Sequence, residues 1–263
     1  MCAVIAAQTK RTSEVKFRGF LYSERILIMK AKINRKREPI MLTSEDSFDF
    51  QCTQCGKCCR NREDVLLTGP DIYRVSKDLD MKPNDFIKAY CEIYIGDTSR
   101  VPICRLKPLG TDKHCPLLTS NQCRVHQAKP TVCALFPLAR VWDKNGEAQY
   151  YVNAVHGHTG GKRYKISEWL ERCNLPVNDE AGKLWNEMLM FCVSFMLENE
   201  KQMEPDVKQQ MWNMMLQIMY LSYHHEISLV ELMRAFCDSI KDTLPRYYRM
   251  LTHPEMDDGE GKE

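Results

Sequence analysis

The segment Cys52-Thr53-Gln54-Cys55-Gly56-Lys57-Cys58-Cys59 constrains this chain more than any other, because four thiols fall within eight consecutive positions. One loop with that spacing can aim several soft ligands at a shared centre, and Gly56 lets the backbone turn between them without a side-chain clash. A structural zinc usually needs four ligands drawn from two CxxC-like pairs, and adjacent cysteines sit awkwardly on one tetrahedral ion. Cys58 and Cys59 therefore point either to two nearby centres or to a multinuclear one.

The loop is part of a wider concentration. Of 13 cysteines among 263 residues, nine lie between 52 and 133, and Cys2, Cys173, Cys192 and Cys237 stand singly. The total is odd, and the start of the chain, MCAVIAAQTKRTSEVK, has only a short apolar stretch with no basic segment ahead of it. We expect a reducing, cytoplasmic setting, where such a cluster is a metal or redox site rather than a disulfide framework. No uninterrupted apolar run reaches membrane-spanning length. A formal net charge of +2 excludes any global polyelectrolyte attraction to nucleic acid or membrane.

Further donors follow downstream. They are His114-Cys115-Pro116-Leu117-Leu118, then Gln122-Cys123-Arg124-Val125-His126, then Lys129-Pro130-Thr131-Val132-Cys133-Ala134-Leu135-Phe136-Pro137. Prolines beside Cys115 and Cys133 restrict the local backbone, which lowers the entropy lost when a ligand is fixed. With the first loop, the set is Cys52, Cys55, Cys58, Cys59, Cys115, Cys123 and Cys133.

These motifs resemble the YkgJ-type cysteine-cluster family, a zinc- or iron-chelating domain that also occurs in proteins named flagellin lysine N-methylases with an iron-sulfur centre. The family pattern runs CxxCGxCC, a Cys-Pro-Phe-Leu-like segment, a Cys with a nearby Tyr or His, and Arg-Pro-x-x-Cys-Arg-x-Phe-Pro. The likeness covers roughly residues 48 to 170. It implies that the seven thiols hold zinc, or iron either alone or within an iron-sulfur cluster. Two departures stand out. Where members often carry a further cysteine, this chain has Val155-His156-Gly157-His158, so either His156 or His158 is a candidate replacement. Cys104 lies where no family ligand is expected and is a candidate eighth thiolate. Cys91, Cys173, Cys192 and Cys237 read as small buried hydrophobes in helical surroundings.

Patterning predicts an α+β fold: a small cysteine-rich metal-binding domain with short helices and a β-hairpin, followed by a mainly α-helical C-terminal region. Residues 1–47 are expected to form a flexible basic extension, since positions 1–41 carry ten Lys or Arg against three acidic residues. The cysteine-cluster domain is expected over 48–175, the helical region over 176–253, and a disordered tail over 254–263. Thr68-Gly69-Pro70-Asp71 starts a helix, and another runs from Pro83 or Asn84 through FIKAYCEIY. VPICRLKPL reads as extended, and LARVW and AQYYVNAV form a hairpin about Asn145-Gly146. Ser167, Asn178 and Ser228 are expected to cap helices, and Pro205 to begin one. Met211, Met214, Met215, Ile218 and Met219 share one helical face, read as a core seam rather than a pliable groove.

The leading functional expectation is a cytoplasmic metal-binding protein that chelates zinc or an iron or iron-sulfur centre, with the helical region covering the cysteine domain or engaging a protein partner. An iron-sulfur lysine N-methylase acting on flagellin or a similar protein, which the resemblance implies, and a structural zinc module for protein interaction are the alternatives. Thiol-disulfide exchange ranks below metal binding, since no thioredoxin-like βαβ unit accompanies the CxxC pairs. GHTGGK is one residue short of a Walker loop, GxGxxG and HExxH are absent, and no nucleophile-base arrangement stands out.

Overall fold

The computed structural model describes residues 40–51, 56–143, 145–152, 161–176 and 179–253. The architecture is α+β, with short antiparallel sheets in the first two thirds and long helices after them.

The chain enters through β1 (Ser47–Phe50), which pairs with β9 (Lys162–Lys165), and Leu42 bridges to Tyr150. After the cysteine loop, β2 (Leu66–Leu67) leads into α1 (Gly69–Asp78). Its start follows from the sequence: the Thr68 side chain accepts the Asp71 amide, and the Asp71 carboxylate accepts the Thr68 amide, a reciprocal cap. Pro83 opens α2 (Pro83–Tyr90). The expected continuation through CEIY does not occur. The chain turns extended at Cys91 and forms β3 (Cys91–Ile95), which pairs with β4 (Pro102–Leu106). Ile93 and Ile95 are β-branched and Tyr94 aromatic, types that suit a pleated surface, and the pairing outweighs the helical spacing. Cys91 is thus a strand residue.

A two-residue hairpin joins β5 (Leu118–Thr119) to β6 (Gln122–Cys123), and both turn residues, Ser120 and Asn121, take positive φ. α3 (Thr131–Leu135) carries Cys133. The expected hairpin forms from β7 (Leu138–Trp142) and β8 (Ala148–Val152) in the register Leu138 to Val152. α4 (Ile166–Arg172) begins one residue before Ser167, with Lys165 in the N-cap position and the Glu168 carboxylate accepting the Lys165 amide.

Three long helices complete the chain. α5 (Glu180–Asn199) is capped by Asp179, whose side chain accepts the Gly182 amide. The expected cap at Asn178 lies outside the described residues. α6 (Pro205–Leu216) starts at its proline and runs into a π turn, Gln217–Leu221. α7 (Leu229–Thr252) starts at Ser228, which accepts the Glu231 amide. The tail expected over 254–263 also lies outside the described residues.

Two apolar clusters hold these elements. The smaller joins Phe48 and Phe50 of β1, Leu135, Leu138, Tyr150, and Ile166, Trp169 and Leu170 of α4. The larger draws on α1, α2, β4, Leu117 and Val125 together with α5, α6 and α7, so the C-terminal helices pack directly on the cysteine-bearing half. The methionine seam is core as expected: Met211, Met215 and Met219 are fully buried, while Met214 and Ile218 lie at its margin. Arg140 of β7 pairs with Asp179 at 2.8 Å in a buried contact, linking the hairpin to the start of α5.

Gly69 shows how closely α1 meets the helical layer. A Cβ there would fall 1.8 Å from the Tyr223 hydroxyl and 2.7 Å from the Met219 carbonyl oxygen. Tyr223 is itself held by a hydrogen bond to Met233 Sδ at 3.2 Å. Gly69→Ala should therefore cost about 1–3 kcal/mol by overpacking, measured as a lower urea midpoint with unchanged slope.

Candidate metal centre

Among the described residues, five of the seven expected thiols are gathered from three separate stretches of chain. Gly56, at φ +70°, turns the backbone into a short 3-10 helix, Lys57–Cys59, that presents Cys58 and Cys59 side by side with their sulfurs 3.8 Å apart. Two sulfurs each bonded at ~2.3 Å to one tetrahedral ion would stand about 3.8 Å apart. The adjacent pair therefore fits a single ion as well as two metal atoms.

The loop is fastened to the next thiol segment by backbone hydrogen bonds. Asn61 N–H donates to the Asp112 carbonyl at 2.9 Å, Arg62 N–H to Lys113 at 3.3 Å, and Cys115 N–H to Cys59 at 2.8 Å. The Arg60 guanidinium adds contacts to the Asp112 carboxylate and, at 2.7 Å, to Asn121 Oδ1. Cys123 follows on β6, opposite Leu118, and the Arg124 amide returns to the Leu117 carbonyl. Leu117 and Val125, which flank this excursion, are buried in the larger core.

Cys133 is placed by a polar anchor. Asp71 Oδ1 accepts the Thr131 amide at 2.8 Å, the Thr131 hydroxyl at 2.7 Å and an Arg74 guanidinium N–H at 2.7 Å, and Oδ2 accepts the Thr68 amide at 3.0 Å. One carboxylate, 1% exposed, thus fixes the first turns of both α1 and α3. In the sequence Asp71 reads only as part of the Thr68-Gly69-Pro70-Asp71 helix start. The Thr131 link spans 60 residues, and no local signal announces it.

The five thiols perturb one another. A hydrogen bond with Cys59 lowers Cys58 to about 6, and the charges of Lys129 and Arg62 assist against burial. The same bond pushes Cys59 up, with burial and the sulfurs of Cys58, Cys115 and Cys133 adding to it. Burial raises Cys115, Cys123 and Cys133, and neighbouring sulfurs of the set add to each. Among the described residues no three donors already stand at the distances of a closed metal site. Cys52, Cys55, His156 and His158 lie outside the described residues.

Cys104 keeps different company. It is fully buried on β4, and its thiol hydrogen-bonds Cys91 diagonally across the β3–β4 pairing. Tyr220 of the π turn is its other electrostatic neighbour. Cys192 and Cys237 are buried, as expected for packing residues, and Cys173 is half-buried, its thiol donating to the Ala134 carbonyl at 3.2 Å.

Residues 51–156 match a family model described as "CxxCxxCC: Putative zinc- or iron-chelating domain". The matched span includes every thiol of the expected set. Neither a search of curated proteins nor one of solved structures returns a match.

Two outcomes test this geometry. Asp71→Asn keeps the shape but removes the charge paired with Arg74, so metal affinity should fall about 10–100-fold in chelator competition with the fold retained. Asp71→Ala should cost about 3–5 kcal/mol, because Arg74 loses its partner. The second outcome concerns pH. Cys59, Cys115, Cys123 and Cys133 are raised on folding, so their contribution to stability is present below an unfolded thiol value of about 8.5 and is lost as pH rises through the folded values. Cys58, lowered on folding, opposes them alone. Metal-free reduced protein should melt at a lower temperature at pH 10 than at pH 7, and the metal-loaded form, its thiolates already ionised, should lose less.

Proposed function

We propose that this chain is a metal-chelating protein in which Cys52, Cys55, Cys58, Cys59, Cys115, Cys123 and Cys133 hold zinc or an iron centre. The observation that carries the proposal is the convergence of Cys58, Cys59, Cys115, Cys123 and Cys133 from three stretches of chain, each an electrostatic neighbour of others of the set. Seven thiolates exceed the four that one tetrahedral ion uses, so the centre takes more than one metal atom. Arg62 and Lys129 lie close enough to influence the sulfurs and offset part of the negative charge that several thiolates bring together. His156 and His158 are further donors in this reading, whereas the contact with Cys91 and the buried position of Cys104 favour a packing role for it.

Zinc at this centre would tie the loops together, and iron or an iron-sulfur cluster would add electron transfer or Lewis acidity. The structural zinc reading gains support from the larger core: Cys115, Cys123 and Cys133 pack against its edge, where a bound ion would reinforce the contact between the loops and helices α5 to α7. The lysine N-methylase reading rests on the resemblance alone. Among the described residues no helix is long and apolar enough to cross a membrane. A cytoplasmic setting, where these thiols stay reduced, accompanies the proposal.

Anaerobic purification followed by metal and acid-labile sulfide analysis tests it. More than one zinc or iron per chain is expected. Cys115→Ser and Cys133→Ser should each lower that stoichiometry, while Cys192→Ala, in α5, should leave it intact. Folded protein with no stoichiometric metal would overturn the proposal. Iron with sulfide would exclude a zinc-only centre, and zinc without sulfide would remove the iron-sulfur alternative.

A further inference from the structure

Beside the thiols, an open cavity of about 280 Å³ lies between one face of α1 and the segment that precedes α3. Arg74, Lys77 and Asp78 line it from α1, Lys129 from the opposite wall, and Cys173 and Asn174 from the end of α4. The walls are tied together where Asn174 Nδ2 donates to the Gln127 carbonyl at 3.2 Å. Arg74 is held in place by Asp71 and Thr131, both through one guanidinium nitrogen, Nη2. Lys77 lies over the Tyr73 ring, 5.6 Å from its centroid, and Tyr73 is fixed through its hydroxyl to the Ile227 carbonyl at 3.0 Å.

The charge balance is what distinguishes this cavity. Asp71 offsets Arg74 and Asp78 offsets one lysine, which leaves the lining net positive. Among the described residues neither Lys77 nor Lys129 forms an ion pair with a carboxylate. Lys77 and Lys129 thus line one small space from two separate elements, together with Arg74, whose guanidinium is held by Asp71 and Thr131. A planar carboxylate presents its oxygens in one plane, whereas a tetrahedral phosphate offers oxygens to several walls at once. The volume also leaves room for a small organic body beside a phosphate group.

We infer that this cavity is a binding site for the phosphate group of a small ligand, with Lys77 and Lys129 supplying the charge and Arg74 a positioned hydrogen-bond donor. Lys129 is an electrostatic neighbour of Cys58, Cys123 and Cys173, so a phosphate held there lies beside the thiol cluster. The inference uses none of the thiols as ligands and stands independently of which metal they hold.

The test is calorimetric titration of the full-length, metal-loaded protein with inorganic phosphate at low ionic strength, with acetate titrated in parallel. Saturable one-to-one phosphate binding is expected, at least about tenfold tighter than acetate and weakened by added sodium chloride. Lys77→Gln, remote from the thiol-bearing loops in sequence, should weaken phosphate by about five- to tenfold with metal content and melting temperature unchanged. Lys77→Gln combined with Lys129→Gln should abolish saturation over the same range. Absence of saturable binding, phosphate affinity unaffected by Lys77→Gln, or acetate bound as tightly as phosphate would each overturn the inference. A chain that binds phosphate but retains no metal would leave this site standing and refute the chelation proposal instead.

Discussion

The arrangement of the cysteine-bearing half depends on the Asp71 carboxylate. A buried ionised group is costly unless its acceptor sites are filled, and Asp71 is nearly fully buried with four donors around it. Those donors belong to the start of α1, to Arg74 one turn further on, and to the first residue of α3. Removing the carboxylate would take the charge partner from Arg74 and the acceptor from the Thr68 and Thr131 amides in a place that water reaches poorly. The carboxylate therefore specifies where α3 begins relative to α1, and through that where Cys133 stands relative to Cys58, Cys59 and Cys115. Backbone bonds do the same for the first loop, where Cys59, Asn61 and Arg62 pair with residues 112–115.

The larger core explains why two sequence regions of different character act together. Leu117 and Val125 flank the hairpin that carries Cys123, and both are buried in the cluster built from α5, α6 and α7. The methionines of α6 contribute unbranched side chains that can fill the irregular surface presented by short strands and turns. Gly69 allows the approach at its tightest point, where any side chain would meet Tyr223. Covering the cysteine domain is thus a role that the helices fill through direct packing.

Much of this was legible in the sequence where the signal was local. The caps at Thr68 and Ser228, the proline starts at Pro83 and Pro205, the β7–β8 hairpin and the methionine seam each follow from chemistry within a few residues. The errors arose where pairing across the chain decided the outcome. Cys91–Ile95 continues a helical spacing, but β4 offers it a strand partner, and the pairing ends the helix. The candidate thiols of the first loop stand out in the sequence by their close spacing, whereas Asp71 does not, since its role is defined by a residue 60 positions away. The cavity beside α1 was likewise illegible, because its cations come from segments with no common motif.

The same scaffold bears on how metal binding and folding divide the free energy. In a small domain with no core, metal binding supplies the folding free energy itself, because the site exists only when occupied. Here Cys59 and Cys115 are joined through their backbones, Cys133 is held by the Asp71 network, and Cys115, Cys123 and Cys133 rest against a core that includes three long helices. These contacts involve no metal. They order the described thiols in advance, so the entropy of gathering them is met by the fold and less is subtracted from the affinity. The opposing cost is electrostatic: burial raises Cys115, Cys123 and Cys133, and each must ionise before it can act as a ligand. An ion that replaces those protons relieves both the desolvation and the mutual repulsion of the thiolates. On the proposed chelation, the protein would fold around its helices and gain stability from metal as a bound ligand, by an amount set by free metal concentration relative to its dissociation constant.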